Sequence, residues 1–394
     1  MHEFDKLALA LQPHYSHFNV ANRLLFTGHS HQAWPDAAFT GIQEYMRLVA
    51  ERVDTKWEAG FEKTEIMRNY LRDFYDDPDG LYCREQNTHV LLVSWLSSFD
   101  LKNKPKIITT SGEFHSMSRQ LKRLDEEYLN VVELQHQSDQ QLLESIRKEL
   151  DQNTSAVMIS RVYFETAEIN TKLSEIAEVC RNAGVPLMID DYHGTNVVPL
   201  SVREEKLEDC YILIGGYKYL QWGEANCFLR FPRECDLRPV ITGWFASFAT
   251  LDQPQNNELV SYDDGDQRFA TATYDPISQF RAAEVVNFFK TQGLTPNVLH
   301  KQYQSQVQYL IELFDEKNRD HFEIERSHNR PIEETGGFLS LKSPHARKLR
   351  SNLLEKGIFT DARDQILRLG PAPYTTSKQI QEVTDALFEE IGNL

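Results

Sequence analysis

Ile189-Asp190-Asp191-Tyr192-His193-Gly194 and, further along, Gly215-Gly216-Tyr217-Lys218-Tyr219 are the stretches on which the fold turns. Each follows a short apolar run, Val185 to Ile189 and Tyr211 to Ile214. Runs of that length, bounded by turn residues, predict buried strands. The first strand delivers a carboxylate at its C-terminal end, and the second delivers a lysine just past its own. Working outward, Lys106 to Thr110, Ala156 to Ser160 and Cys227 to Phe231 read as further strands. Between them, Gln140 to Leu150 carries Leu142, Leu143, Ile146 and Leu150 at helical spacing behind Ser138-Asp139 as a cap. Leu173 to Asn182 is a second helix, ended by Gly184. This β-α-β rhythm predicts an α/β protein with a mostly parallel sheet covered by helices on both faces.

The flanks have another texture. Residues 1–50 hold loops and one helix, and from Pro276 onward long helical patterns lead to a strand at Gly336 to Leu341 and a closing helix from Ser377. The expected organisation is a large domain at 51–275 and a smaller α+β domain built from 1–50 and 276–394. Gly265 to Pro276 reads as an excursion from the core.

The chain has 394 residues, long enough for one large core and a second smaller one. Its 42 basic and 59 acidic residues give a net charge of −17, with the acidic residues scattered. Nucleic acid and anionic membrane both require a basic footprint, so neither is an expected partner. No apolar run approaches a membrane span. The opening Met-His-Glu-Phe-Asp-Lys lacks a basic segment followed by an apolar one, so a cytoplasmic location is expected. Five cysteines without paired or CxxC spacing read as reduced packing thiols, and no metal is expected.

A carboxylate and a lysine at neighbouring strand ends suit pyridoxal 5'-phosphate (PLP). Lys218 is the Schiff-base lysine, and Asp190 holds the pyridinium nitrogen protonated. The alternative for Lys218 is a lysine snorkelling at a strand end. His193, three residues after Asp190, flanks the same site, which leaves Asp191 to cap the turn. Tyr217 can point its hydroxyl at the phosphate, or be an aromatic on a strand face. Val90 to Val93 followed by Ser94 looks like a strand-to-helix turn, which makes Ser94 a phosphate contact although the usual glycines are missing. Phe114 is placed to stack on the ring, with a plain core phenylalanine as the alternative. Arg368, alone in the apolar Ile366 to Leu369 run, suits an amino-acid α-carboxylate or an internal ion pair.

Together these residues resemble the class V branch of fold-type I PLP enzymes, and within it the kynureninase-like group. Asp190-Asp191-Tyr192-His193 stands where that group has Asp-Leu-Ala-His, and Tyr217-Lys218-Tyr219-Leu220-Gln221 where it has Tyr-Lys-Tyr-Leu-Asn. Gly243-Trp244-Phe245-Ala246-Ser247 matches Gly-Trp-Trp-Gly-His. Asp361-Ala362-Arg363 and Arg368-Leu369-Gly370-Pro371-Ala372-Pro373 match Asp-x-Arg and Arg-x-x-Pro-x-Pro. The resemblance runs from about Phe26 to Tyr374 and implies the PLP-dependent transferase fold. It implies that Trp244 joins Tyr217 at the phosphate and that Arg368 takes the substrate carboxylate. It also implies a homodimer whose sites are completed across the interface by Arg268 to Ile277, with Thr273 as the crossing contact. Three departures surround the substrate. Phe114-His115-Ser116-Met117 replaces Phe-Pro-Thr-Asp, Gly223-Glu224-Ala225 replaces Gly-Pro-Gly, and Tyr274 stands where an asparagine meets the aromatic amine.

The expected function is that of a PLP enzyme acting on an amino acid, with kynureninase-like hydrolytic cleavage of a Cβ–Cγ bond. Transamination by the same residues is the main alternative. Epimerisation is a third, and cysteine desulfuration a weaker one, because no cysteine follows Cys235. A scaffold that keeps the fold without catalysis is the reading from a different class.

Overall fold

A computed structural model describes residues 2–135, 138–250, 259–320 and 323–394. Seven strands build the central sheet: β1 (Leu81–Glu85), β2 (Lys106–Thr110), β3 (Asn130–Leu134), β4 (Thr154–Ser160), β5 (Leu187–Asp190), β6 (Tyr211–Gly215) and β7 (Cys227–Phe231). Their spatial order is β1-β7-β6-β5-β4-β2-β3. The five from β3 to β6 are parallel, and β7 and β1 close one edge antiparallel. Alternation along each strand feeds two cores: Val157, Ile159, Ile189 and Ile212 face one, while Met158, Met188 and Leu213 face the other. Burial on both faces is why these strands read as continuous apolar runs rather than as alternating ones.

A second, antiparallel sheet pairs Asp361–Arg363 with Ile366–Leu369, then Leu339–Lys342, then Glu325–Arg326. A third core lies beneath it, joining Leu341, Leu349, Leu367 and Leu387 to the N-terminal Phe4 and Phe26. The N-terminal strand is tied in by its backbone: Phe26 N–H donates to Phe359 O and Gly28 N–H to Gly370 O, both at 2.8 Å.

The domain boundary differs from the expected 275/276. Helix Ile277–Thr291 buries Ala282, Val285, Val286, Phe288 and Phe289 in the large core. The next helix, Pro296–Lys317, gives Leu299 and Tyr303 to that core but Val307, Leu310 and Phe314 to the small one. The change of core therefore falls within this helix. A helical period shows that residues are buried, without showing against which partner. Residues 265–276 contain no helix or strand, as an excursion requires.

Candidate active site

The C-terminal ends of the parallel strands carry the chemistry, as is usual for open α/β sheets. Ser160 and Asp190 are register partners across β4 and β5, and Asp190 faces Leu213 on β6, so Lys218 emerges beside Asp190. A side chain at Gly215 would strike the Tyr192 ring at 1.8 Å, so the approach of the two strand ends depends on that glycine.

Lys218 is buried, with Nζ 2.5 Å from His193 Nε2 and over the rings of Tyr192 (4.8 Å), Phe114 (5.4 Å) and Tyr217 (5.9 Å). Burial, and then the Arg368 guanidinium, push its pKa well below the usual lysine value, against the pull of Asp190. Burial also lowers His193, with Lys218 next in effect. Both shifts favour the neutral forms of these two nitrogens in contact, and a snorkelling lysine is excluded by its burial.

Asp190 and Asp191 part company here. Asp191 is buried in an ion pair with Arg161 (Nε–Oδ1 2.5 Å, Nη2–Oδ2 3.0 Å) and accepts from Tyr75 Oη at 2.6 Å. Asp190 is half-buried, and its carboxylate accepts only the Tyr192 N–H among the described residues. Burial pushes Asp190 up to about 6. A carboxylate without a cation at a strand end is the one suited to a ring N–H⁺.

Phe114 is the N-cap residue of helix His115–Asp125, half-buried, and packs edge-on against Phe164 at 5.3 Å. Tyr217 stacks on His31 at 4.7 Å and 15°, forming a wall beside Tyr192. Arg368 is buried directly opposite Asp361, ion-paired with that carboxylate, and donates Nη1–H to Phe164 O at 2.5 Å. The internal ion pair is therefore real, but Nε is buried without a partner among the described residues. A cleft of about 580 Å³ bounded by His115, Glu165, Asp361 and Arg363 adjoins these residues.

Ser94 is a correction. Val90 to Val93 is not a strand: the run belongs to helix Thr88–Leu96, and Ser94 lies in its last turn, its buried Oγ without a partner. The helix begins at the site, where the Thr88 N–H points at the Cys227 thiol, whose sulfur is 3.8 Å from Tyr192 Oη. Ser94 is six residues, about 9 Å, further along. The N-terminal end of the helix, the end whose free N–H groups suit an anion, is Asn87-Thr88-His89. Asn87 before an apolar run was the available signal, since its side chain accepts from Val90 N–H at 3.0 Å as a cap.

Trp244 and Thr273 are brought together away from Lys218. Trp244 Nε1–H donates to Thr273 Oγ1 at 3.3 Å, and the indole is 47% exposed. Neither contacts Lys218, Asp190 or Tyr217 among the described residues. The separate roles expected of them, one within its own site and one crossing, do not suit two residues joined on one surface. Tyr274 is likewise remote, packed against Trp57 and Phe245 with Arg84 over its ring at 4.1 Å.

Two further residues stand outside the motifs read from the sequence. Glu113 is buried, accepts from Ser160 N (3.0 Å), Ser160 Oγ (2.6 Å) and Thr110 Oγ1 (2.6 Å), and is pushed up to about 7 by burial, with Asp190 adding to the rise. His29 is buried beside Asp361 and Arg368. A lone Glu or His in a loop gives no sequence signal of this kind.

The donor set fits PLP. A buried lysine whose pKa is pushed down, an aromatic face at Phe114 and a carboxylate free of ion pairs among the described residues lie close together. The structure also brings Asp190, His193, Phe114, Tyr217, Lys218 and Arg368 together, but not Ser94, Trp244, Thr273 or Tyr274.

Residues 299–387 match the family model of the kynureninase C-terminal domain. An uncharacterized aminotransferase of Bacillus subtilis (strain 168), YcbU, is 22% identical over 364 residues, which cover 91% of this chain and 92% of that protein. Among solved structures, a cysteine desulfurase from Thermococcus onnurineus NA1 superposes with a TM-score of 0.78 at 15% identity, covering 98% of each chain. A C-DES mutant with glycine covalently linked to its PLP cofactor superposes at 0.79 and 16% identity, over 95% of this chain and 98% of that one. At such identities the structures speak for the fold. With that fold, the C-terminal match and the motifs around Asp190 and Lys218, the chain is similar to kynureninase-like proteins of the class V aminotransferase family.

Proposed function

We propose that this protein is a PLP-dependent enzyme that acts at Cα of an amino acid and exchanges its amino group with a 2-oxo acid. The observation that carries the reading is Lys218: buried, its pKa pushed well down, against His193 and one strand from Asp190, which has no ion pair among the described residues. When bound, PLP supplies an aldehyde carbon open to amines and a protonated ring that withdraws electrons. Asp190 would hold the ring proton, Phe114 would cover the ring, and the N-terminal end of helix Thr88–Leu96 would hold the phosphate. Arg368 fixes the substrate carboxylate with donors that Asp361 and Phe164 leave free. Lys218 Nζ, its pKa lowered by burial, moves the proton at substrate Cα, and His193 orients it. Phe114, Phe164 and Phe338 exclude water around the nitrogen.

Kynureninase-type hydrolysis is the second reading, favoured by the C-terminal match. Against it, Tyr274, standing in the position expected to meet an arylamine, is committed to Arg84 and Gln279. Desulfuration lacks support because all five cysteines are buried and none follows Cys235. We place a second copy of the chain over the apolar surface of Val240 (82% exposed), Ile241, Trp244 and Val260. Trp244 and Thr273 then complete the partner's site as a unit.

The test is a screen of amino acids with PLP and 2-oxo acids, with products identified. Amino transfer predicts a new amino acid and a new oxo acid in equal amounts. Alanine released from kynurenine without any oxo acid would establish the second reading instead.

A further inference from the structure

His29 is fully buried, yet neither ring nitrogen has a hydrogen-bond partner among the described residues. Its placement is imposed by the backbone. Gly28 N–H donates to Gly370 O, and a side chain at Gly370 would meet His29 Nδ1 at 2.4 Å. One face packs on Phe338 at 4.7 Å, the same ring that lies 6.3 Å from His193 and 5.8 Å from the Arg368 guanidinium. Burial, with Arg368 adding to it, holds the imidazole down to about 3, so it carries one donor and one acceptor at neutral pH. His29 Nε2 is 3.7 Å from Asp361 Oδ2, too far for a hydrogen bond, while Arg368 Nη2 grips that same oxygen. Two nitrogens from opposite ends of the chain thus converge on one carboxylate oxygen at the rim. Arg368 Nε and both His29 nitrogens stay unpartnered in a buried place, which is costly for groups with no ligand to meet.

We propose that His29 is a specificity-determining residue of the substrate site, donating to the carboxylate that Arg368 holds and so selecting amino acids over simple amines. This rests on the PLP reading above and on Arg368 as the carboxylate anchor. It assigns a substrate contact to the N-terminal turn, which reaches the site only because that strand is tied to Gly370.

The experiment follows the cofactor absorbance of PLP-loaded protein during titration with L-alanine and with ethylamine, which lacks the carboxylate. His29→Ala should weaken L-alanine by about tenfold or more while ethylamine stays within about twofold. His29→Gln, which keeps a donor, should recover most of the loss and covers the case in which the alanine variant does not fold. Equal weakening of both amines, or of neither, overturns the proposal. Failure of the underlying reading looks different: unaltered protein then shows no PLP band and no response to either amine, and both readings fall together.

Discussion

Two buried arginine–aspartate pairs in this protein use the same groups for different ends. Arg161 and Asp191 lie beneath the strand ends with every polar atom engaged: Arg161 also donates to Val198 O and Pro199 O, and Asp191 also accepts from Tyr75 and Thr195. Arg368 and Asp361 lie across the small sheet with Nε unpartnered and a partnerless His29 alongside. A closed pair holds the fold together, whereas an open one is arranged for something that arrives later. The contrast also explains the neighbouring aspartates, since Asp191 is fixed within the closed pair and Asp190 is left available.

The largest expected effect breaks the closed pair. Asp191→Ala leaves Arg161 buried and uncompensated and should cost about 3–5 kcal/mol of folding stability, read by urea unfolding. Asp190→Ala, one residue away, should not destabilise the apo protein. Burial raises the folded pKa of Asp190 to about 6, above its unfolded value, so its ionised form opposes folding above that pH. It should instead weaken PLP. Equal stability losses for the two variants would erase the distinction.

Next comes the open pair. Arg368→Lys should lose about 2–5 kcal/mol of amino-acid binding, because a point charge cannot replace a planar fork already shared with Asp361 and Phe164. The PLP absorbance of the resting protein should be unchanged. Loss of PLP instead would make Arg368 part of the cofactor site.

Glu113 sharpens the comparison from the side of charge. Its folded pKa of about 7 exceeds the unfolded value, so its stability contribution is present below the unfolded pKa and is lost as pH rises through 7. Glu113→Gln keeps one acceptor oxygen for Ser160 N–H and Thr110 Oγ1, turns its amide N–H toward Ser160 Oγ as a donor, and removes the charge. The variant should be more stable than the parent by about 2–3 kcal/mol near pH 8, a gain that vanishes below about pH 4. A pH-independent difference would mean that the folded pKa of Glu113 is not shifted from its unfolded value.

The smallest effects concern the helix that faces the phosphate. Asn87→Ala removes its cap and should cost about 1 kcal/mol along with some PLP affinity. Ser94→Ala, in the last turn, should leave PLP affinity unchanged and shift stability by about 0.5 kcal/mol or less. A larger loss of PLP from Ser94→Ala than from Asn87→Ala would return Ser94 to the site.

What could be read from sequence was what short stretches encode. Leu187–Asp190 and Tyr211–Gly215 are apolar runs closed by a functional residue, so strand, strand end and chemistry coincide locally. Leu81–Glu85 escaped because Arg84 and Glu85 are charged yet buried, held by the Tyr274 ring and by Thr271. Val90 to Val93 misled because four apolar residues in a row carry no period. Asp361 and Arg368 face each other across a short hairpin, but His29 reaches them only through tertiary pairing of chain segments far apart in sequence. No local pattern encodes their convergence, although Arg368 was legible as an arginine in need of an anion.

The central claim is that Lys218 is the residue that bonds the cofactor. Reduction of PLP-loaded protein with borohydride, followed by peptide mapping, tests it most directly. The account predicts a pyridoxyl group on the peptide containing Gly215 to Gln221, attached at Lys218, and none in Lys218→Ala. Label on another lysine, or no label after reconstitution, would contradict it.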